Sequence, residues 1–309
     1  MLQNTPKEKL HCLLQHLDGA YAPNTLRAYK ADMLEFIAYC GKKGICPMPA
    51  DPQSVAEFLM KTVSQGIKSS TIRRKVSSIS AIHRLSSLED PTKHSEVIIA
   101  QRKIFRQLGT RFDQAYPITR ALLARLLAVC DGNLHGLRDR ALLLVAYESM
   151  RRRSELISLR IEDIEWASEG GASVLLRKSK TDQHGSGKWV HLTFDSTNAL
   201  KLWLTAAKID EGLIFRGVRS SGAINNGLCE SRISRIYKTL ARKAGFSESI
   251  VESISGHSMR VGGAHDLLQT GASLPQIMVK GGWAKTDTVM RYVDRFRPET
   301  ESPSRCLII

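Results

Sequence analysis

ISGHSMRVGGAHDLLQTGASLPQIMVKGGWAKTDTVMRYVD, residues 254–294, holds the pattern from which the rest of the chain is read. Ser255 and Gly256 break the chain before His257, the spacing from Met259 to Leu268 is helical, and Gly271 is a stop signal. His257 and Arg260 stand three residues apart, so they are expected to share one helix face. A second helical run follows around Leu274 to Val279. Gly281 and Gly282 then make a turn that presents Trp283, and Thr286 opens a last helix carrying Tyr292. One imidazole, one guanidinium, one indole and one phenol are thereby gathered on a short scaffold. These side chains suit attack on a phosphodiester. Phosphoryl transfer asks mainly for positioning and for cations facing the non-bridging oxygens, which Arg260 can supply, and a tyrosine can be the covalent nucleophile. A lone tyrosine near a chain end is usually a packing residue, so order and spacing carry the reading.

The composition around this stretch narrows the partners. With 309 residues the chain has room for two domains, and its formal net charge of +15 and pI near 9.7 favour a polyanion, because Lys and Arg that neutralise phosphates release condensed counterions. Nucleic acid leads and an anionic membrane surface is the rival. No apolar run approaches a membrane span, and the start MLQNTPKEKL has no signal-peptide core, so a cytoplasmic, nucleoid-associated protein is expected. The six cysteines, Cys12, Cys40, Cys46, Cys130, Cys229 and Cys306, are scattered without ligand spacing and read as reduced thiols. No metal site and no cofactor are expected, so positive charge at a phosphoryl-transfer site would come from side chains.

Residues 1–111 read as a small helical bundle. Asn24 is expected to cap a helix with Leu26, Tyr29, Met33, Phe36 and Cys40 inward, and Asp51-Pro52 to open one with Val55, Phe58, Leu59 and Val63. A third starts at Ser69 or Ser70 and carries Ile72, Val76, Ile79 and His83. A fourth, from about Ser95 to Leu108, points Val97, Ile98, Ile104, Phe105 and Leu108 inward. The charge is net +8 over residues 1–111 and +7 over the rest, so both halves are basic. Arg73, Arg74 and Lys75 on the third helix and Arg102, Lys103 and Arg106 on the fourth are expected to contact DNA. The alternative is a solvated helix face. Residues 112–117, ending in Pro117, read as a linker that lets two basic domains close round DNA.

Beyond it, Thr119 is expected to cap a helix holding Leu122, Leu123, Leu126 and Leu127, and Leu137–Met150 to form an apolar core helix. Short strands are expected at Ser173–Arg177 and Trp189–Leu192, joined by a polar hairpin tip. Ser231–Ala244 alternates Ile233, Ile236, Tyr237 and Leu240 with Arg232, Arg235, Arg242, Lys238 and Lys243. That pattern suits a second groove-reading helix, with Arg232, Arg235 and Lys238 on DNA, although a calmodulin-like or membrane-surface helix would look similar.

His-x-x-Arg, then Gly-Gly-Trp, then a tyrosine nine residues on resembles the carboxy-terminal signature of the tyrosine site-specific recombinases, the phage integrase family. Gly256-His257-Ser258-Met259-Arg260-Val261-Gly262 is similar to its Cre branch. The resemblance covers about the last 190 residues by motif and the rest by layout. It implies a mainly α fold with a small antiparallel β-sheet, arranged as a two-domain, C-shaped DNA clamp: a helical amino-terminal domain (1–111) and a catalytic domain (118–309). An arginine stands three residues before an acidic residue in this family, a register that selects Arg152 from Arg151-Arg152-Arg153, with Glu155 as its orienting carboxylate. Arg151, where relatives often carry a small or apolar residue, is a departure. Ser179-Lys180-Thr181 resembles the family's hairpin lysine and makes Lys180 the general acid, with Lys178 and Lys188 as rivals.

By the same resemblance Tyr292 attacks one strand to give a 3′-phosphotyrosyl bond, Arg152 and Arg260 hold the non-bridging oxygens, His257 accepts or relays the tyrosine proton, and Trp283 packs and donates its N–H. The partners implied are double-stranded DNA with a specific, inverted-repeat site and further copies of the chain, a dimer on one site and a tetramer in the synapse. Strand exchange through a Holliday junction would follow. A type IB-like topoisomerase would need the same residues, and a non-catalytic DNA-binding regulator is the alternative of another class.

Overall fold

The computed structural model describes residues 5–109, 114–177 and 187–293, with the side chain of Val293 excepted. The chain divides into two compact units, Met1–Asp113 and Gln114–Ile309, and each is described by itself.

The first unit is five helices: α1 (Pro6–His16), α2 (Pro23–Lys43), α3 (Pro52–Ser64), α4 (Ser69–Leu85) and α5 (Ser95–Leu108). The first three open on a proline, whose fixed φ and missing N–H suit the first helical turn. Asp51 caps α3 as expected, its carboxylate accepting from the Ser54 N–H at 2.9 Å. Helix α2 begins one residue before Asn24, which is therefore no cap. Helix α1 was not anticipated, yet Thr5-Pro6-Lys7-Glu8 closes a capping box in which Thr5 N–H donates to Glu8 at 2.7 Å. Met33, Phe36, Phe58, Leu59, Ile72, Ile79, Ile82, Val97 and Ile104 form the core. Ile98 and Leu108, expected inward, are each 38% exposed, because the buried stripe of α5 is the narrow one through Val97, Ala100 and Ile104.

Lys75 is also corrected. Only 2% of it is exposed. It lies between Ile72 and Ile79 on the inward face of α4, its ammonium paired with Glu35 and 3.8 Å from the buried Asp32. Asp32 also accepts from Arg74 at 2.9 Å and from the Ser78 hydroxyl at 2.8 Å. This polar knot ties α4 to α2 and takes Lys75 out of any DNA-facing surface.

The second unit holds α6 (Arg120–Ala128), α7 (Leu134–Ser149), α8 (Arg153–Ile157), strands β1 (Ile164–Trp166), β2 (Ala172–Leu176) and β3 (Lys188–Leu192), then α9 (Phe194–Ala207), α10 (Glu230–Lys243), α11 (Glu248–Ser253), α12 (Ser258–Gln269), α13 (Leu274–Gly281) and α14 (Thr286–Val293). The sheet is antiparallel in the order β1-β2-β3, with Val174 opposite both Ile164 and Val190. Strand β1 was not foreseen; at three residues it is too short to show alternation. Helix α7 starts three residues earlier than expected because Asn133 caps it, accepting from Gly136 N–H at 3.0 Å. Leu142, Leu143, Trp203, Phe215, Tyr237 and Leu240 lie in the main core, and a smaller cluster of Met150, Ala264, Ile277, Trp283 and Val289 gathers the last three helices.

Residues 114–118, at the expected linker, are hydrogen-bonded into this unit: Tyr116 N–H donates to Ser253 O and Ile118 N–H to Ser258 O, each at 3.0 Å. Helix α12 lets this segment lie so close because residue 262 is glycine; a Cβ there would be 1.8 Å from the Ile118 carbonyl oxygen. No helix among the described residues is long and apolar enough to cross a membrane.

The polar knot of the first unit can be tested. Lys75→Ala is expected to lower stability in urea denaturation by about 3 kcal/mol, the lower end of what breaking a buried pair costs, since Asp32 keeps Arg74 and Ser78.

Candidate active site

Three backbone turns build the site. The first follows α7: Met150 adopts a left-handed conformation (φ 52°), and Arg152 then caps α8 in an extended one. Arg152 thus stands at the mouth of the helix that carries Glu155, not within it. The Glu155 carboxylate accepts from the Arg152 backbone N–H at 3.0 Å and from its guanidinium at 2.7 Å. Burial alone would raise the Glu155 carboxyl, but these bonds and the Arg152 charge hold it below the usual carboxylate range. One carboxylate thereby fixes both the turn and the fork.

The second turn precedes α12. His257 is the residue before that helix, set by a Ser255 hydroxyl that accepts its N–H at 3.1 Å. Burial first, then the charges of Arg153, Arg260 and Arg152, push its imidazole below the ordinary 6.5, against a smaller pull from Glu155, so the ring is neutral at pH 7. Arg260, on the first turn of α12, is 2% exposed and donates through Nη1 to the Met150 carbonyl. Its Nη2 is buried with no hydrogen-bond partner among the described residues. Burial, followed by the Arg152 charge, brings the Arg260 pKa down to about 10, so the cation persists at neutral pH, and the neighbouring Tyr292 phenol favours its charged form.

The third turn joins α13 to α14. Gly282 caps α13 in the left-handed region (φ 63°), and the chain delivers Trp283 onto Arg260, whose guanidinium carbon lies 4.0 Å from the ring centroid. The Trp283 and Tyr292 rings follow at 5.6 Å between centroids. Arg152, Glu155, His257, Arg260, Trp283 and Tyr292 therefore converge. Lys180 and Lys178 lie outside the described residues.

Two further cations stand beside the site. Arg151 is buried, donates from Nε to Ser149 O at 2.9 Å and from Nη2 to Lys280 O, and so braces the first turn against the third. Only its departure from the family pattern marked it. Lys188, named as a rival for the hairpin lysine, opens β3 and donates to the Val279 carbonyl; burial and the charges of Arg151 and Arg260 lower its pKa. Of the residues expected on DNA, Arg102, Lys103, Arg106, Arg232 and Arg235 are exposed, as is Arg74 while paired with Asp32. Arg73 stacks its guanidinium 4.8 Å from the Phe105 ring centroid, and Lys238 donates to the Glu252 carbonyl at 3.0 Å.

Comparison with known proteins decides the identity. Residues 118–298 match the phage integrase family, and residues 13–88 match the phage integrase N-terminal SAM-like domain. The chain belongs to the phage integrase family. It is 30% identical to an integrase/recombinase xerD homolog of Selenomonas ruminantium, over 91% of this chain and 84% of the relative. To the recombinase cre of Escherichia phage P1 it is 24% identical, over 93% and 89%. Two solved structures share the fold. A XerH site-specific recombinase bound to its palindromic difH substrate has a TM-score of 0.69 at 18% identity, over 96% of this chain and 83% of that one. A lambda integrase dimer bound to a COC′ core site has a TM-score of 0.63 at 14% identity, over 97% and 80%. This phage integrase family member is a tyrosine recombinase, an enzyme that binds DNA and cleaves and rejoins it.

The electrostatics of the second turn give a direct check. An NMR titration of the His257 imidazole is expected to show a midpoint below 6.5, and Arg153→Ala, which removes the charge with the largest effect among those named, is expected to move that midpoint upward. An unmoved midpoint would remove Arg153 from the causes and leave burial with the Arg260 and Arg152 charges.

Proposed function

We propose that this recombinase is site-specific and that Tyr292 is its nucleophile. The Tyr292 phenolic oxygen attacks a backbone phosphorus, the bond to the 5′ oxygen breaks, and a 3′-phosphotyrosyl ester and a 5′-hydroxyl result. His257, neutral at pH 7, accepts the phenolic proton. Arg152 and Arg260 hold the non-bridging oxygens as the pentacoordinate state forms. Lys180 gives a proton to the departing 5′ oxygen, and Trp283 packs against the Arg260 guanidinium and donates its indole N–H to the phosphate. The phosphotyrosyl ester retains the free energy of the phosphodiester, so a 5′-hydroxyl from a partner duplex can reverse the step into a new junction.

The observation that carries this reading is the unmatched Nη2 of Arg260, a buried charged donor packed on Trp283 beside the Tyr292 ring. A buried donor of this kind is costly unless an acceptor arrives, and a phosphate oxygen is the acceptor a basic DNA enzyme meets. By likeness to the XerH recombinase bound to a palindromic substrate and the lambda integrase dimer on its core site, the enzyme would act on an inverted-repeat site, as a dimer on each site and a tetramer in the synapse, with a Holliday junction between the two exchanges. As a DNA enzyme it would work in the cytoplasm, on the nucleoid. The exposed Arg102, Lys103, Arg106, Arg232 and Arg235 would supply phosphate contacts.

Incubation with a nicked suicide duplex should trap a denaturation-resistant protein–DNA adduct that Tyr292→Phe abolishes; an adduct that survives the substitution moves the nucleophile elsewhere. Exchange between two sites, as opposed to relaxation of supercoils alone, then separates a recombinase from a topoisomerase. Lys180→Ala should slow cleavage of a normal 5′ oxygen far more than cleavage of a 5′-bridging thiolate, which leaves without a proton. Equal slowing of both substrates would pass the acid role to another group, with Lys188 the described alternative.

A further inference from the structure

The backbone carbonyl of Tyr292 lies at the end of the described part of α14. Two side chains from elsewhere in the unit reach this one oxygen: His265 through Nε2 at 2.6 Å and Gln114 through Nε2 at 3.0 Å. A carbonyl only accepts, so the His265 proton in this bond sits on Nε2. His265 is on α12, five residues after Arg260 and buried, so it is fixed to the same helix as the phosphate-facing guanidinium. Gln114 begins the irregular segment of residues 114–118, which the N–H bonds of Tyr116 and Ile118 and the side-chain-free Gly262 hold against the end of α11 and the start of α12. Both donors thus come from parts of the chain that also set His257 and Arg260, yet both end on the backbone of Tyr292.

We infer that Gln114 and His265 are positioning residues for the nucleophile: they clamp the main chain of Tyr292 and hold its phenol in register with Arg260. This rests on Tyr292 being the nucleophile. The carbonyl is one residue's length from the reacting oxygen, so a helix end released from the clamp displaces the phenol while the arginines stay in place. Misplacement of about 1 Å can cost about a hundredfold in rate. Neither residue touches the phosphate in this scheme, so substrate affinity should not depend on them. The chemistry of the remaining groups should not depend on them either.

Two reactions of the full chain separate this role from general support of the fold. The first is single-turnover cleavage of the nicked suicide duplex, which needs Tyr292. The second, run in a Tyr292→Phe background, joins a strand ending in a 3′-p-nitrophenyl phosphate to a 5′-hydroxyl strand. There the 5′ oxygen attacks phosphorus and p-nitrophenolate leaves, so Arg152, Arg260 and His257 act without the tyrosine.

Gln114→Leu and His265→Phe, which keep bulk and lose the donor, are expected together to slow cleavage at saturating DNA by about a hundredfold, with DNA affinity and the joining reaction unchanged. His265→Gln, which offers a side-chain N–H again, is expected to recover much of the loss. Unchanged cleavage overturns the inference, and so does a parallel fall of cleavage and joining. Should His265→Phe fail to fold, Gln114→Leu alone must still show the selective loss, and its absence decides against the clamp. If instead Tyr292→Phe itself cleaves, the choice of nucleophile has failed and the clamp falls with it, a result distinct from either of the others.

Discussion

The burial of one cation organises the catalytic unit. Arg260 is removed from water, stacked on Trp283, and satisfied at Nη1 by a carbonyl, while its Nη2 has no partner among the described residues. Desolvating such a group costs several kcal/mol before compensation. The protein does not cancel this with a facing carboxylate: Glu155 is committed to Arg152 by two hydrogen bonds. The depressed pKa of Arg260 records the remaining cost. An anion that arrives at Nη2 offsets a penalty already present in the fold, and one that gains charge during reaction offsets more. Catalysis requires stabilisation of that differential kind.

The turn at residues 149–152 is where this cation is tied to the rest of the site. The left-handed Met150 turns its carbonyl to Arg260 and its side chain into the small cluster with Ile277, Trp283 and Val289. The next residue, Arg151, reaches Lys280 O, and the one after it presents the Arg152 fork. Gly282 permits the left-handed cap and also the approach of Arg151, whose Nη1 would be 2.7 Å from a Cβ at that position. Four consecutive residues thus connect the helix after His257, the tryptophan turn and the first arginine. A change at Ser149, Met150 or Arg151 would reach the rest of the site through these protein contacts, whereas one at Arg152 would also remove a proposed phosphate ligand.

Much of this was legible in the sequence, for reasons particular residues show. His257, Arg260, Trp283 and Tyr292 converge because glycines at 256, 271, 281 and 282 punctuate short helices whose order permits few foldings. The three helices opened by Asp51, Ser69 and Ser95 followed from caps and periodicity. Lys75 was misread because it was grouped by charge with Arg73 and Arg74, although its spacing of three from Ile72 and four from Ile79 places it on the buried stripe. Asp32 and Glu35 wait there on α2. The place of Arg152 at a helix cap was not legible because cap rules favour Ser, Thr, Asp and Asn, and an arginine whose backbone N–H is held by Glu155 falls outside them. The contacts of Gln114 and His265 depend on a main-chain oxygen, which no side-chain pattern encodes.

Arg151 shows how far a family pattern can bend without losing the chemistry. A buried guanidinium in place of a small or apolar side chain adds a third positive charge within reach of Arg152 and Arg260. Its own hydrogen bonds go to the Ser149 and Lys280 carbonyls, neutral acceptors that hold it without cancelling it. The field it leaves acts on its neighbours: together with burial it lowers the pKa of Lys188 and contributes to that of Arg260. A lysine in such a field is a stronger acid, and a phosphate that gathers negative charge is more strongly attracted. The same charge makes the DNA-free site more costly to fold, since like charges are crowded around one carboxylate. A site of this composition therefore shifts stability from the free protein to its complex with DNA, so Arg151 serves as brace and as charge at once.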